Sequence, residues 1–239
     1  GAEALARLRT KTGEMIMPGR FVPPLENIGY VVDLDFYIYE QLLRAMKRWK
    51  KAGKELFTIS TNFSRRNFES GGKNFAGRLK RMADHYGIDP KYIEVEVTES
   101  VVVENVDELK RVLSELEKFG FRIAIDDFGT GYSSLGVLLE IPADVVKIDK
   151  SFTDRINLKE QRNFVSQMGN FIHSAKEEVI FEGIETEEQL QFLRGCGNGC
   201  SPGCPRGGRQ LCVFTATSFA CRYGSSVFCD EPSGGFVVW

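Results

Sequence analysis

The feature that most constrains this chain is an alternation. Through the first 195 or so residues, short β-branched or aromatic runs are followed by amphipathic stretches of helical length. Residues 56–62, 92–97, 121–125, 143–149 and 178–183 have strand character, and residues 1–8 read as a short strand ahead of them, with Glu3, Leu5 and Arg7 on one face by period-two alternation. Helices are expected over 25–34, 36–51, 75–86, 158–175 and 186–193. Another starts at an Asn105 cap, carries an apolar stripe of Val106, Leu109, Val112, Leu113 and Leu116, and stops at Gly120. Thr186 and Gln189 stand at capping-box spacing, and residues 18–23, rich in proline and glycine, read as a loop. Connections of this length suit parallel βαβ units. A doubly wound open sheet would be apolar on both faces. These strands instead put polar residues on one face, as in Thr58, Ser60 and Asn62, or Glu94 and Glu96. That pattern points to an α/β fold of the TIM-type (β/α) barrel, whose reactive groups gather at the C-terminal strand ends.

Composition narrows the function. The chain has 239 residues, 42% of them hydrophobic, enough for one large domain. Lys+Arg (31) nearly balances Asp+Glu (33), so no global charge calls for nucleic acid or an anionic membrane, and no apolar run reaches the roughly 20 residues of a membrane span. The basic face formed by Arg44, Lys47, Arg48, Lys50, Lys51 and Lys54 reads as a solvated outer helix face rather than a nucleic-acid patch. Six cysteines, at 196, 200, 204, 212, 221 and 229, all fall in the last 44 residues. The cysteine-free remainder fits a cytoplasmic domain without a disulfide framework, including one in a parent protein anchored at a membrane. The cysteines make no Cys-x-x-Cys pair, and the only histidines, His85 and His173, lie within expected helices, so a zinc site is not indicated.

The chemistry lies at the strand ends. In chain order these carry Glu3, Asn62, Glu96, Asp126 with Asp127, Lys147 and Glu182. Each alone is ordinary surface charge. Repeated at successive strand ends, the oxygen donors make a set suited to hard cations such as Mg²⁺, Mn²⁺ or Ca²⁺. Asp126 and Asp127 are adjacent carboxylates at the end of a buried strand, where like charges repel and a cation is required. Lys147 is suited to holding an attacking water or a developing charge.

The residues resemble the EAL-domain cyclic di-GMP phosphodiesterases. Glu3-Ala4-Leu5 with Arg7 is similar to the motif that names the family, and six blocks follow in order: residues 18–23, Asn62-Phe63-Ser64, residues 96–100, residues 126–135, Lys147-Ile148-Asp149 and residues 182–186. The resemblance covers about residues 1–197. It implies a modified TIM barrel with one antiparallel strand, and hydrolysis of cyclic di-GMP to pGpG with two Mg²⁺ or Mn²⁺ ions. By matching position it implies Glu3, Asn62, Glu96 and Asp126 as ligands of one metal, and Asp126 and Asp127 as ligands of the other. It assigns Lys147 and Glu182 to orienting the nucleophilic water, with Asp127 counted among the catalytic groups. Arg7 would contact a substrate phosphate, and Leu5, Pro23 and Asp149 would bind substrate. Glu99 would steady the loop from Asp127 to Leu135, which the family links to dimerisation, so a homodimer is implied. Sensory or GGDEF domains fused in the parent protein are implied too. A catalytically silent receptor or scaffold is the alternative, although such relatives usually lose an acid of the metal set and this chain keeps every one.

Two departures from the family pattern bear on the fold. The strand that precedes the EAL motif, with its substrate-contacting glutamine, is not in the sequence, and Pro202-Gly203 stands where a Gln-Gly pair is expected before the closing strand. The chain is therefore expected to lack the first strand and the closing strand, and to divide into an EAL-like domain over 1–197 and a non-matching Gly/Cys/Ser-rich tail over 198–239. A shifted reading frame is the expected origin of the tail. Residues 198–203 coded as AAT GGA TGC AGT CCA GGG read Met-Asp-Ala-Val-Gln-Gly one base later. An inactive fragment is the corresponding alternative for function, because an open barrel exposes sheet edges.

Overall fold

The computed structural model describes residues 1–69, 74–104, 106–130, 140–154, 156, 158–174, 178–196, 211–214 and 236–238. The chain divides into two units, residues 1–97, 104–123 and 225–239 in the first and 98–103 with 124–224 in the second.

The first unit begins with β1 (Ala2–Ala4), β2 (Ala6–Arg9) and β3 (Met15–Ile16), followed by the helices α1 (Pro18–Ile28) and α2 (Val31–Lys51). After β4 (Ile59–Asn62), α3 (Phe75–Tyr86) and β5 (Ile93–Thr98), the chain passes through α4 (Glu99–Glu104) and returns as α5 (Val106–Lys118). β1, β4 and β5 run parallel, with Glu3 opposite Ser60 and Asn62 opposite Glu96. Residues 1–8 are thus not one strand. The chain breaks at Leu5, and β2 leaves to pair antiparallel with β3 and β10 (Phe236–Val238). Glu3 and Arg7 consequently belong to different sheets.

Residues 18–23 are helical, not a loop. Pro18 occupies the first turn, where its missing N–H costs nothing. Pro23 and Pro24 lie inside the helix but are exposed, as are Gly19 and Arg20, so water can take the carbonyls they leave unpaired. Buried Phe21 fastens the helix to the unit. α1 then ends at Gly29, inside the 25–34 stretch expected to be one helix, and α2 starts at Val31.

The core of this unit holds Tyr39, Leu42, Leu43, Met46, Leu79, Leu113 and Leu116. Beside it, Phe36, Tyr39, Phe63, Phe68 and Phe75 meet edge to face, with centroids 5.0 to 6.2 Å apart. Each such ring contributes about 1.5–3 kcal/mol through burial. Phe63 follows Asn62 directly, so the cluster fixes the end of β4. The basic face of α2 is engaged with the end of α3. Arg44 binds Glu40 and the Tyr86 hydroxyl, and Lys50 donates to the Gly87 carbonyl at 2.8 Å. These contacts fit the solvated outer face read from sequence.

The second unit takes most of β6 (Arg122–Phe128), then β7 (Val145–Ile148), α6 (Lys150–Thr153), α7 (Lys159–Ser174), β8 (Glu178–Ile184), α8 (Glu187–Cys196) and β9 (Leu211–Phe214). β6, β7, β8 and β9 run parallel in that order. Every described strand pairing outside the small β10-β2-β3 sheet is parallel, and the antiparallel barrel strand implied by resemblance is not among the described residues. β9 and β10 lie in the tail that showed no periodicity in sequence. The Asn105 cap and residues 131–135 of the glycine-rich stretch fall outside the described residues.

Candidate functional site

The acidic pair is not at the end of its strand but inside it. Ala124 and Ile125 pair with Val145 and Val146, and Phe128 pairs with Ile148. Asp126 and Asp127 therefore share a single opposite residue, Lys147. This is a β-bulge, and its second residue has a left-handed backbone, φ 55° at Asp127. Successive side chains on a regular strand point to opposite faces. The bulge cancels that alternation. Carboxylate oxygens of Asp126 and Asp127 come within 4.8 Å of each other and of one from Glu182. Aspartate is among the few non-glycine residues that tolerate this backbone.

Glu182 sits at a second bulge. Ile180 and Phe181 pair with Leu211 and Cys212, and Ile184 with Phe214, so Glu182 and Gly183 together face Val213. Gly183 has φ +68°, and a Cβ there would run into the stem of Lys150, so only glycine fits. Lys147 is buried and bridges the two bulges, its Nζ 3.2 Å from Asp126 Oδ1 and 3.1 Å from Glu182 Oε1. Three carboxylates around one ammonium leave net negative charge, and their donors are all oxygen. The set fits a hard divalent cation.

Two further residues assigned from sequence lie in this unit. Glu99 Oε2 accepts the Gly129 N–H at 2.8 Å, at a glycine packed directly against the Phe152 ring. Asp149 caps α6 by accepting the Ser151 N–H at 2.9 Å, and its own N–H donates to the Phe128 carbonyl.

The first unit brings together the remaining acids. Asn62 Nδ2 donates to Glu3 Oε1 at 2.8 Å, and Glu96, 1% exposed, stands opposite Asn62 on β5. The neighbouring Glu94 is instead structural, paired with Arg122 at 3.1 Å. Leu5 lies at the β1–β2 break, half-buried. Arg7 is half-buried on β2 with Nη1 donating to the Ala6 carbonyl at 2.8 Å, and Pro23 is exposed on α1.

Sequence reasoning missed a second layer behind these residues. Asp35, on α2, is buried and accepts the Ser64 N–H at 2.8 Å and Asn67 Nδ2 at 2.6 Å, while Ser64 Oγ donates to Glu26. Burial pushes the Asp35 carboxyl up to about 7, against the opposing pull of its two donors. It holds the turn that follows Asn62. The signal was an aspartate on the otherwise apolar face of a helix. In the second unit, Thr153 and Gln189 support the Glu182 bulge in the same way.

The EAL domain family matches residues 1–201. The chain belongs to the EAL-domain family. The signaling protein YkoW of Bacillus subtilis is 38% identical over 202 residues, covering 82% of this chain and 24% of YkoW. The bifunctional diguanylate cyclase/cyclic di-GMP phosphodiesterase MucR of Pseudomonas aeruginosa is 31% identical over 221 residues, covering 90% of this chain and 32% of MucR. The chain thus spans about a quarter to a third of these curated relatives. Among solved structures, the PaMucR phosphodiesterase in complex with c-di-GMP superposes with a TM-score of 0.75 at 31% identity, covering 82% of this chain and 78% of that one. The fold of this EAL domain is accordingly α/β, a TIM-type (β/α) barrel of the EAL kind whose described strands make up an incomplete set. No described helix is long and apolar enough to cross a membrane.

Proposed function

We propose that this EAL domain is a cyclic-guanylate-specific phosphodiesterase, hydrolysing cyclic di-GMP to linear pGpG with two Mg²⁺ or Mn²⁺ ions. The observation that carries the reading is the convergence of Asp126, Asp127 and Glu182 within 4.8 Å, with Lys147 bridging two of them. The family match and the relatives named above support the substrate.

Glu3, Asn62, Glu96, Asp126 and Asp127 would hold the ions. Bound divalent cations lower the pKa of water and neutralise charge on a phosphodiester. The protein's own groups do the rest. Glu182 presents a carboxylate oxygen that accepts a hydrogen bond from water, and Lys147 fixes that carboxylate from the other side. Water adds at one phosphorus, one P–O ester bond breaks, and the ring opens to a dinucleotide with a terminal phosphate. Arg7 offers guanidinium donors to a phosphate, and Leu5, Pro23 and Asp149 contact the remainder of the substrate. Glu99 holds the loop after Asp127 through Gly129. We further propose that the domain acts as a homodimer within a longer protein carrying sensory or GGDEF parts, in the cytoplasm, and that residues 198–239 arise from a shifted frame beyond a 1–197 EAL domain. Sequencing the gene across codon 198 decides the last point, and an uninterrupted frame shared by close relatives would sink it.

The central test is product analysis by chromatography after incubation with cyclic di-GMP and Mn²⁺. Formation of pGpG that disappears in Asp127→Asn supports the enzyme, since asparagine also tolerates the left-handed backbone at this position. Binding without turnover in the unsubstituted chain overturns it in favour of a silent receptor.

A further inference from the structure

Glu182 is held from behind by a residue that no motif singles out. Thr153, the last residue of α6, is 0% exposed. Its Oγ1 lies 2.7 Å from the main-chain oxygen of Glu182, 2.9 Å from that of Lys150 and 3.5 Å from that of Gly183. A hydroxyl has one proton, and the shortest of these contacts is to Glu182. The Thr153 carbonyl in turn accepts Gln189 Nε2 at 3.2 Å, while Gln189 Oε1 accepts the N–H groups of Glu185 and Thr186 at 2.8 and 2.9 Å. The network thus closes a ring from α6 through the β8 bulge to the start of α8.

The position of this ring in the chain gives it a function. α6 follows β7 after the single residue Asp149, which caps it. Lys147, two residues before that cap, makes the 3.1 Å pair with Glu182. At a bulge the extra residue leaves the regular ladder, so its main-chain direction depends on whatever else binds it. Here Thr153 binds it, and the Lys150 stem lies over Gly183 with its ammonium on Glu185 at 2.7 Å. We infer that Thr153 is a positioning residue for Glu182, setting the separation of the Lys147–Glu182 pair through the Glu182 main chain. The inference rests on the reading of Glu182 as the water-orienting carboxylate, and it locates what keeps that carboxylate in register.

Thr153→Val keeps the shape and removes the donor, and Thr153→Ser keeps the donor. With cyclic di-GMP and Mn²⁺, Thr153→Val should lower kcat by about tenfold or more while KM stays within about twofold, and Thr153→Ser should recover kcat to within about threefold. Unchanged kcat, or a loss confined to KM, overturns the inference. If Thr153→Val does not fold cooperatively, Thr153→Cys, a weak donor, should give an intermediate kcat. A second readout needs no turnover. Crystal structures of the variants should show the Lys147 Nζ–Glu182 Oε1 separation lengthened from 3.1 Å in Thr153→Val and kept in Thr153→Ser, and an unchanged separation in Thr153→Val overturns the inference. An unsubstituted chain that yields no pGpG defeats the phosphodiesterase reading alone, and the comparison of Lys147–Glu182 separations still decides the role of Thr153.

Discussion

Asp35 shows how one side chain can make the stability of this domain depend on pH. Its folded carboxyl titrates near 7 rather than 3.8 because burial disfavours the charged form. Between those values the folded state binds more protons than the unfolded state, so the contribution of Asp35 to stability falls as pH rises from about 4 to about 7. Asp35→Asn keeps an oxygen for Ser64 and Asn67 and removes the titration. Urea unfolding at several pH values should show that the parent loses roughly 3 kcal/mol more than the variant across that window. Equal slopes would refute the assignment. The residue scale is also where sequence reading was strongest and most incomplete. Asp126, Asp127, Lys147 and Glu182 could be named because each is a polar side chain standing against an apolar strand pattern. Asp35 and Thr153 could not, because their importance lies in which main-chain groups they touch, and those groups come from segments roughly 30 residues away along the chain.

At the scale of elements, the second bulge is the part most exposed to small changes. Gly183→Ala forces a left-handed alanine and drives its Cβ into the Lys150 stem, whereas Gly53, also left-handed at φ +70°, has open space where a methyl group would stand, with nothing within 4 Å. Gly53→Ala should therefore cost only the backbone term, about 1–2 kcal/mol, and Gly183→Ala should cost clearly more. Denaturant titrations of both variants check this, and equal losses would show that the Lys150 stem gives way freely. Periodicity located α3 to the residue and came close for α5, because both present an unbroken apolar stripe. It failed at α1, where residues 18–23, rich in proline and glycine, read as a loop although exposed carbonyls can turn to water. It also failed at β9 and β10, which are too short to show a period of two.

For the molecule as a whole, the proposed cation site predicts linkage between metal and folding. A ligand that binds only the native state stabilises it by about 2.7 kcal/mol at a hundredfold excess over Kd. Mn²⁺ or Mg²⁺ should raise the melting temperature of the chain, and Asp126→Asn should abolish most of that rise. A melting temperature indifferent to both cations would argue against a metal centre. The barrel class was legible from the alternation of strands and helices together with the polar residues on one face of the strands, as in Thr58, Ser60 and Asn62, which a doubly wound sheet would not carry. The division into two units was not, because it depends on contacts between distant segments. The bulge in β6 has one more consequence. Ala124, Ile125 and Phe128 keep ordinary partners on β7 on either side of it. Deleting residue 127 would therefore restore an unbroken ladder with a single carboxylate and leave the flanking core in place. A paired-acid site on such a strand amounts to one inserted codon, a step short enough for a barrel of this type to gain or lose without rebuilding its walls.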